Sequence, residues 1–144
     1  MEAGCRSDVI VKQMAIAIGK RKTAVATAII KPGSGRVYVN GIPIELYQPE
    51  VARWKILEPL LLLGDGVRSK IDVEVKAKGG GFMGQAIASR TAIARALTSL
   101  IDDPEVKKIF TDYDRHMLTG DHRRTEPKKP RGRSARAKRQ KSYR

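Results

Sequence analysis

"VEVKAKGGGFMGQAIASRTAIARAL", from Val73 to Leu97, changes its period halfway along. The alternation begins a little upstream, at Lys70. Ile71, Val73, Val75 and Ala77 fall on one side, and Asp72, Glu74, Lys76 and Lys78 on the other. A period of two with one apolar side predicts a half-buried strand. After the glycines of "GGGFMG" (Gly79 to Gly84) the apolar residues recur at helical spacing. The pattern predicts a helix from about Gln85 to Leu100, with Ile87, Thr91, Ala94, Leu97 and Ile101 facing inward. Ala86, Ala88, Ala92, Ala94 and Ala96 keep it slim, so it can lie close to a sheet. A strand feeding a slim helix makes the fold class α+β: a small sheet with helices on one face.

Upstream, "DVIVKQMAIAI" (Asp8 to Ile18) alternates and should be partly strand. Gly19 to Ile30 alternates on both faces, one of them lined by Ala24, Ala26 and Ala28. "KPGSGR" has turn chemistry and leads into "RVYVNG", a short strand ending at Asn40-Gly41. These two strands read together as a hairpin, and Gly41 to Tyr47 as a further extended piece. Pro49 suits the first turn of a helix carrying Val51, Trp54, Ile56, Leu57, Leu60 and Leu61. Trp54 is expected in the core, and Pro59 is expected to kink or break the helix. Downstream, Asp103 is placed to cap a helix with Pro104 at its first position. Periodicity fades after about Leu118. The chain therefore divides into an N-terminal extension (1–8), a globular domain (9–119) and a basic tail (120–144).

The tail holds most of the field. The whole chain has 29 Lys or Arg and 15 acids, a net charge of +14. From Gly120 to Arg144 there are 11 basic and 2 acidic residues, a surplus of 9; the other 18 and 13 leave a surplus of 5. Lys129 to Arg144 contains 8 Lys or Arg, no acid, and Tyr143 as its only large apolar side chain. Such a segment cannot bury enough surface to offset the entropy of ordering, so it is expected to order only on a partner. A polyanion is the first partner to consider. A solvated tail, a targeting signal or a membrane-surface patch are the other uses of such a run.

Other features bound the possibilities. Cys5 alone makes no intrachain disulfide framework and no cysteine-based metal site, so a reducing, intracellular setting is expected. Met1 to Asp8 does not read as a secretory signal. The longest strongly apolar run, Leu60 to Leu63, is too short to span a bilayer.

Gly79, Gly81 and Gly84 satisfy G-x-G-x-x-G between a predicted strand and helix. A dinucleotide fold also needs an acidic residue ending a second strand about twenty residues on. Asp102 and Asp103 instead sit at the end of the helix. The better reading is a backbone loop at a helix N-terminus, where N–H groups favour an anion such as an RNA phosphate. The plain alternative is a connection that merely permits a tight turn and close packing. "GKRKT" is not a phosphate loop, because Met14 stands where the first glycine should be. Lys20, Arg21 and Lys22 entering a strand suit phosphate contacts, or form a solvated charge cluster.

Asp112, Asp114 and His116 with Asp121 and His122 invite a metal or acid–base reading, but the two histidines, six residues apart with no patterned third ligand, do not make a metal site. Arg115, Arg123 and Arg124 beside them suit ion pairs or phosphates. No serine has nucleophile-elbow context. Tyr38 and Tyr47 could stack on bases, although Tyr38 also suits a strand surface. No catalytic residue, metal or cofactor is expected.

"GKRKTAVATAIIKPGSGRVYVNG", "LEPLLL", "VEVKAKGGGFMGQAIASRTAIARAL" and "KRQKSYR" together strongly resemble the universal family of ribosomal protein S9 of the small subunit, in its archaeal or eukaryotic form. The resemblance covers about Ile16 to Arg144. It implies a fold like domain 2 of ribosomal protein S5: a four-stranded sheet packed against helices, with a left-handed β-α-β crossover. It implies a cytoplasmic protein of the small ribosomal subunit, not an enzyme and not an obligate homo-oligomer. Its partners would be 16S rRNA in the head, neighbouring head proteins and the P-site tRNA, with no membrane.

On this resemblance the rRNA contacts fall in four groups. One is Lys20, Arg21 and Lys22. The second is Lys76 and Lys78 with Gly79, Gly80, Gly81 and Gly84. The third is Arg115, Arg123 and Arg124. The tail supplies Lys128, Lys129, Arg131, Arg133, Arg136, Lys138 and Arg139. The last four residues, Lys141, Ser142, Tyr143 and Arg144, would approach the tRNA anticodon stem-loop. Two other classes fit the residues alone: a nucleic-acid-associated enzyme, and a DNA-binding module with a basic arm.

Overall fold

The alternating stretch is the central strand of the sheet. In the computed structural model, which describes residues 14–130 and 132–136, the strands are β1 (Ala15–Arg21), β2 (Ala24–Pro32), β3 (Val37–Val39), β4 (Ile42–Pro43) and β5 (Ile71–Lys78). They form one sheet in the order β1-β2-β5-β3-β4. The sheet thus has five strands where four were expected, the extra one being the two-residue β4. The helices are α1 (Glu50–Leu63), α2 (Asp65–Arg68), α3 (Phe82–Ile101), α4 (Pro104–Tyr113) and α5 (Arg115–Thr119), with a 3₁₀ turn at Ile44–Leu46.

The expected hairpin is corrected. The long alternating run breaks at Lys22-Thr23, where Lys22 takes φ 54°, and β1 and β2 are the antiparallel pair. β3 does not pair with β2. β5 lies between them, antiparallel to β2 and parallel to β3. The Asn-Gly signal is met by the tight β3–β4 turn, Asn40 and Gly41 having φ 51° and 80°. Asn40 also bonds β5 with its side chain. Its Nδ2 donates to Ala77 O (3.1 Å), and its Oδ1 accepts from Ala77 N (2.8 Å).

α3 covers the sheet on one side. Ala24, Ala26 and Ala28 of β2 and Ala86, Ala88, Ala92 and Ala96 of α3 are buried between the layers. Gly19 completes this small-residue seam. A Cβ there would lie 2.1 Å from Ala88 O and 2.7 Å from Ala92 N. Ile93, Leu97 and Leu100 fill the core with Ile30, Ile56 and Phe110. Each large aliphatic contributes about 1.5–3 kcal/mol by leaving water.

α3 begins at Phe82 rather than Gln85, and it is buried almost all round. Ile87 and Ile101 of the expected stripe are only half-buried, while Ile93 and Leu100 are fully inside. Two further expectations change at α1. Pro49 is its N-cap, and Pro59 stays inside a helix that runs on to Leu63. The buried face of α1 is Ala52, Ile56, Leu57, Pro59 and Leu60. Trp54 points elsewhere and is 54 % exposed, with its Nε1 donating to Glu50 Oε1 at 3.2 Å. The Asp103 cap is as expected, its Oδ1 accepting from Glu105 N at 2.9 Å. α5 is a short helix that ends where periodicity fades, capped by Asp114 through His116 N at 2.8 Å.

Candidate nucleic-acid interface

Sheet register gathers basic residues that are far apart in sequence. Val25 pairs with both Lys20 and Lys78, and Thr27 with both Ile18 and Lys76. Side chains opposite one another share a face. Lys20, Lys76 and Lys78 therefore rise from the side of the sheet not covered by α3, where Ile16 and Ile18 are also exposed. Glu74, 3.6 Å from Lys76, partly offsets the charge.

Two loops meet at the end of this face. Gly79 and Gly80 take φ 75° and 66°, a region that L side chains rarely enter. A Cβ on Gly79 would lie 2.7 Å from Thr23 O, so the glycine loop packs directly on the β1–β2 turn. Gly81 then opens α3 as an N-cap with no side-chain bond. The N–H groups of a first helical turn favour an anion. Gly81 has an ordinary φ of −102° and open space where a Cβ would go, so a forbidden backbone angle at this position is ruled out. Gly84 packs its α-carbon side against Ala24, 3.4 Å from a Cβ added there.

The segment following α5 reaches the same corner. Arg124 Nη1 donates to Lys22 O at 3.4 Å. Asp121 Oδ2 lies 2.5 Å from Arg21 Nη1 and 2.6 Å from Arg123 Nη2. The Arg21 contact is ionic and lacks hydrogen-bond geometry. The side-chain and backbone bonds from Arg123, opposed by burial and helped by Arg21, hold the Asp121 carboxyl well below the usual carboxylate range. Its two cations hold Asp121 in the charged form.

Among the residues singled out from the sequence, Lys20, Lys22, Lys76, Lys78, Gly79, Gly80, Gly81, Arg123 and Arg124 thus lie around one corner of the sheet. Arg21 joins them but is engaged by Asp121. Arg115 opens α5 and makes no ion pair among the described residues. Lys128, Lys129 and Arg133 are exposed. Arg136 pairs with Glu126 at 2.8 Å. Arg131, Lys138, Arg139 and Lys141 to Arg144 lie outside the described residues, as does the 1–8 extension. Tyr38 is half-buried on the open face and Tyr47 packs partly against the core.

Sequence reasoning noted Asp121 only beside His122 and missed its pairing with Arg21 and Arg123, and it missed Arg95 altogether. Arg95 donates to Leu118 O (2.7 Å), Thr119 O (2.8 Å) and Ile18 O (2.8 Å). An acid in a basic run and an arginine within a helix carry no local signal of such roles.

A family model described as "Ribosomal protein S9/S16" matches residues 19–144. The chain is 54 % identical over 132 residues to a protein of Desulfurococcus amylolyticus named "Small ribosomal subunit protein uS9", covering 92 % of this chain and 94 % of that one. A protein of Pyrobaculum aerophilum with the same name is 53 % identical over 132 residues, 92 % of each. One of Thermoplasma volcanium, also so named, is 56 % identical over 129 residues, 90 % of this chain and 97 % of that one.

Proposed function

The chain belongs to the ribosomal protein S9 family, and from that premise we propose that it is a structural constituent of the small ribosomal subunit. It works by binding rRNA and makes or breaks no bond. The observation that supports this is the corner where the Lys20–Lys22 turn, the Gly79–Gly81 loop and the root of the tail converge. A bare backbone loop admits a phosphate closely, and lysines and arginines on three sides neutralise its neighbours.

The finer reading follows from the same premise. The body binds 16S rRNA in the head, next to other head proteins. The tail follows the rRNA, because a thin chain of Arg and Lys with Gly and Ala fits channels too narrow for a globule. Its last residues, Lys141 to Arg144, reach the anticodon stem-loop of the P-site tRNA. The parallel β3–β5 pair joined through α1 supports the arrangement of domain 2 of ribosomal protein S5, with its left-handed crossover. Residues 9–119 are the body, 120–144 the tail, and 1–8 an extension. The protein acts in the cytoplasmic ribosome as a single copy. Among the described residues no helix is long and apolar enough to cross a membrane.

The test is salt dependence of binding to a transcript of the 16S rRNA head domain. Each phosphate contacted on a single strand contributes about −0.7 to the slope of log K against log salt. Deleting residues 128–144 removes nine Lys or Arg and should flatten the slope by several units. An unchanged slope, or a preference for duplex DNA over the transcript, would sink the reading.

A further inference from the structure

Asp121 is one of only two acids between Gly120 and Arg144. In a segment that binds RNA, an acid costs attraction, so its place calls for another job. We infer that Asp121 is a positioning residue: by pairing at once with Arg21 of the body and Arg123 of the tail, it fixes the direction in which the basic tail leaves the sheet. The inference rests on the RNA-binding function proposed above and specifies how that site is kept in shape.

The geometry is a staged attachment along one edge. β1 is an edge strand. The chain from Leu118 to Arg124 runs beside it in the same direction, held by side chains. Arg95 bridges Leu118 and Thr119 to Ile18 through three carbonyl bonds. Gly120 turns the chain at φ 79°. Asp121 then meets Arg21, and Arg124 meets Lys22 O.

Asp121 is the most constrained link. Its Oδ1 accepts from Arg123 N at 2.9 Å, and Arg123 Nε reaches both carboxylate oxygens at 3.1 and 3.0 Å. The Asp121 side chain is only 10 % exposed and that of Arg21 17 %, whereas Arg123 is 72 % exposed. One carboxylate thus holds a shielded cation of the body and an outward cation of the tail. Orienting a charged segment before binding lowers the ordering cost when the RNA is met. Pairing also keeps Arg21 from serving as a loose, unspecific phosphate contact.

The test separates positioning from simple charge. Full-length wild type, Asp121→Asn and Asp121→Glu are titrated with the head-domain transcript and with poly(U) of equal length. Charge alone makes Asp121→Asn bind both RNAs more tightly, since an anion is lost from a cationic surface. Positioning makes poly(U) binding equal or tighter while transcript binding falls several-fold, and Asp121→Glu recovers most of the loss. The second readout is ¹⁵N relaxation of the free protein. Amides of Arg123 to Glu126 should become more mobile in Asp121→Asn, with sheet amides unchanged. Equal or tighter transcript binding by Asp121→Asn, or unchanged relaxation, overturns the inference and leaves the RNA-binding function standing. A wild type that does not prefer the transcript to poly(U) overturns both.

Discussion

Arg90 Nε of α3 lies 2.5 Å from Glu58 Oε2 of α1, with the Arg90 side chain only 6 % exposed. Its Nη2 reaches Asp114 Oδ2 at 2.8 Å, and Glu58 Oε1 accepts from the Tyr113 hydroxyl at 2.5 Å. One guanidinium therefore ties α1, α3 and the α4–α5 junction together behind the sheet. Removing it leaves Asp114 without its cation and leaves Glu58, mostly shielded from water, with Lys55 at 3.1 Å as its remaining one. Breaking a buried pair on one side costs about 3–5 kcal/mol. Arg90→Ala should fall near the lower end, because Asp114 still reaches solvent. Urea unfolding measures this, and a loss below about 1 kcal/mol, the value of a surface pair, would mean the network is not buried in solution.

The small-residue seam gives a second prediction. A Cβ at Gly19 would meet the α3 backbone, which cannot step aside as a side chain can. Gly19→Ala should push α3 off the sheet, and overpacking of this kind costs about 1–3 kcal/mol or more. Gly79→Ala adds strain from its positive φ and its clash with Thr23 O. Gly81→Ala is the contrasting probe, with ordinary φ and open space. It should melt as wild type does. Any loss of rRNA affinity in that variant then reports the approach of RNA to the loop. Wild-type affinity would place the RNA elsewhere.

Much of the body was legible because the signals there are local. β5 alternates without exception, and Asp103-Pro104 carries its own cap chemistry. The β1–β2 break was not legible, since the alternation runs from Ala15 through Ile30 and Lys22 bears no turn signature. Nor was the insertion of β5 between β2 and β3, which depends on a strand some forty residues downstream. Trp54 matched an apolar stripe, but the face actually buried is set by Ala52 and Ile56. At the candidate site the basic residues were evident individually. Their convergence needed the register of β1, β2 and β5. Asp121 and Arg90 were hidden for one reason: a lone charge shows its role only when its partner, distant in sequence, is beside it.

Acid should act through Asp114. Burial raises its carboxyl, but the His116 amide and the Arg90 guanidinium outweigh that and hold it below the ordinary value. A lowered folded-state value contributes stability fully above the unfolded value of about 3.9, and that stability is lost as pH falls through the folded one. Asp114→Asn should therefore be less stable than wild type near neutrality, with the gap narrowing in acid. Urea midpoints at about pH 6 and about pH 2.5 bracket the change. A gap that stays constant would exclude ionised Asp114 as its source. At the alkaline end, the Glu58 bond raises the Tyr113 phenol. Absorbance should show a tyrosine titrating above about 10 that Tyr113→Phe removes.

The final residues separate assembly from tRNA binding. On the proposed reading many cations upstream of Lys141 hold the protein to rRNA, and one exposed phosphate contact more or less is weak and screened. Deleting Lys141 to Arg144 should therefore leave subunits that assemble and sediment as wild type does. Arg144 carries the last cation of the segment proposed to meet a tRNA partner. If that partner is a phosphate of the P-site tRNA, its loss appears in tRNA affinity and not in protein content. Filter binding of tRNA to purified mutant and wild-type subunits carrying the same message measures it. Affinity should fall modestly in the mutant, most visibly at low salt, because fewer phosphate contacts flatten the salt dependence and the two affinities converge as salt rises. Equal affinities across the whole salt range, with equal protein content, would remove the terminus from the tRNA site and leave the tail as an rRNA-binding segment alone.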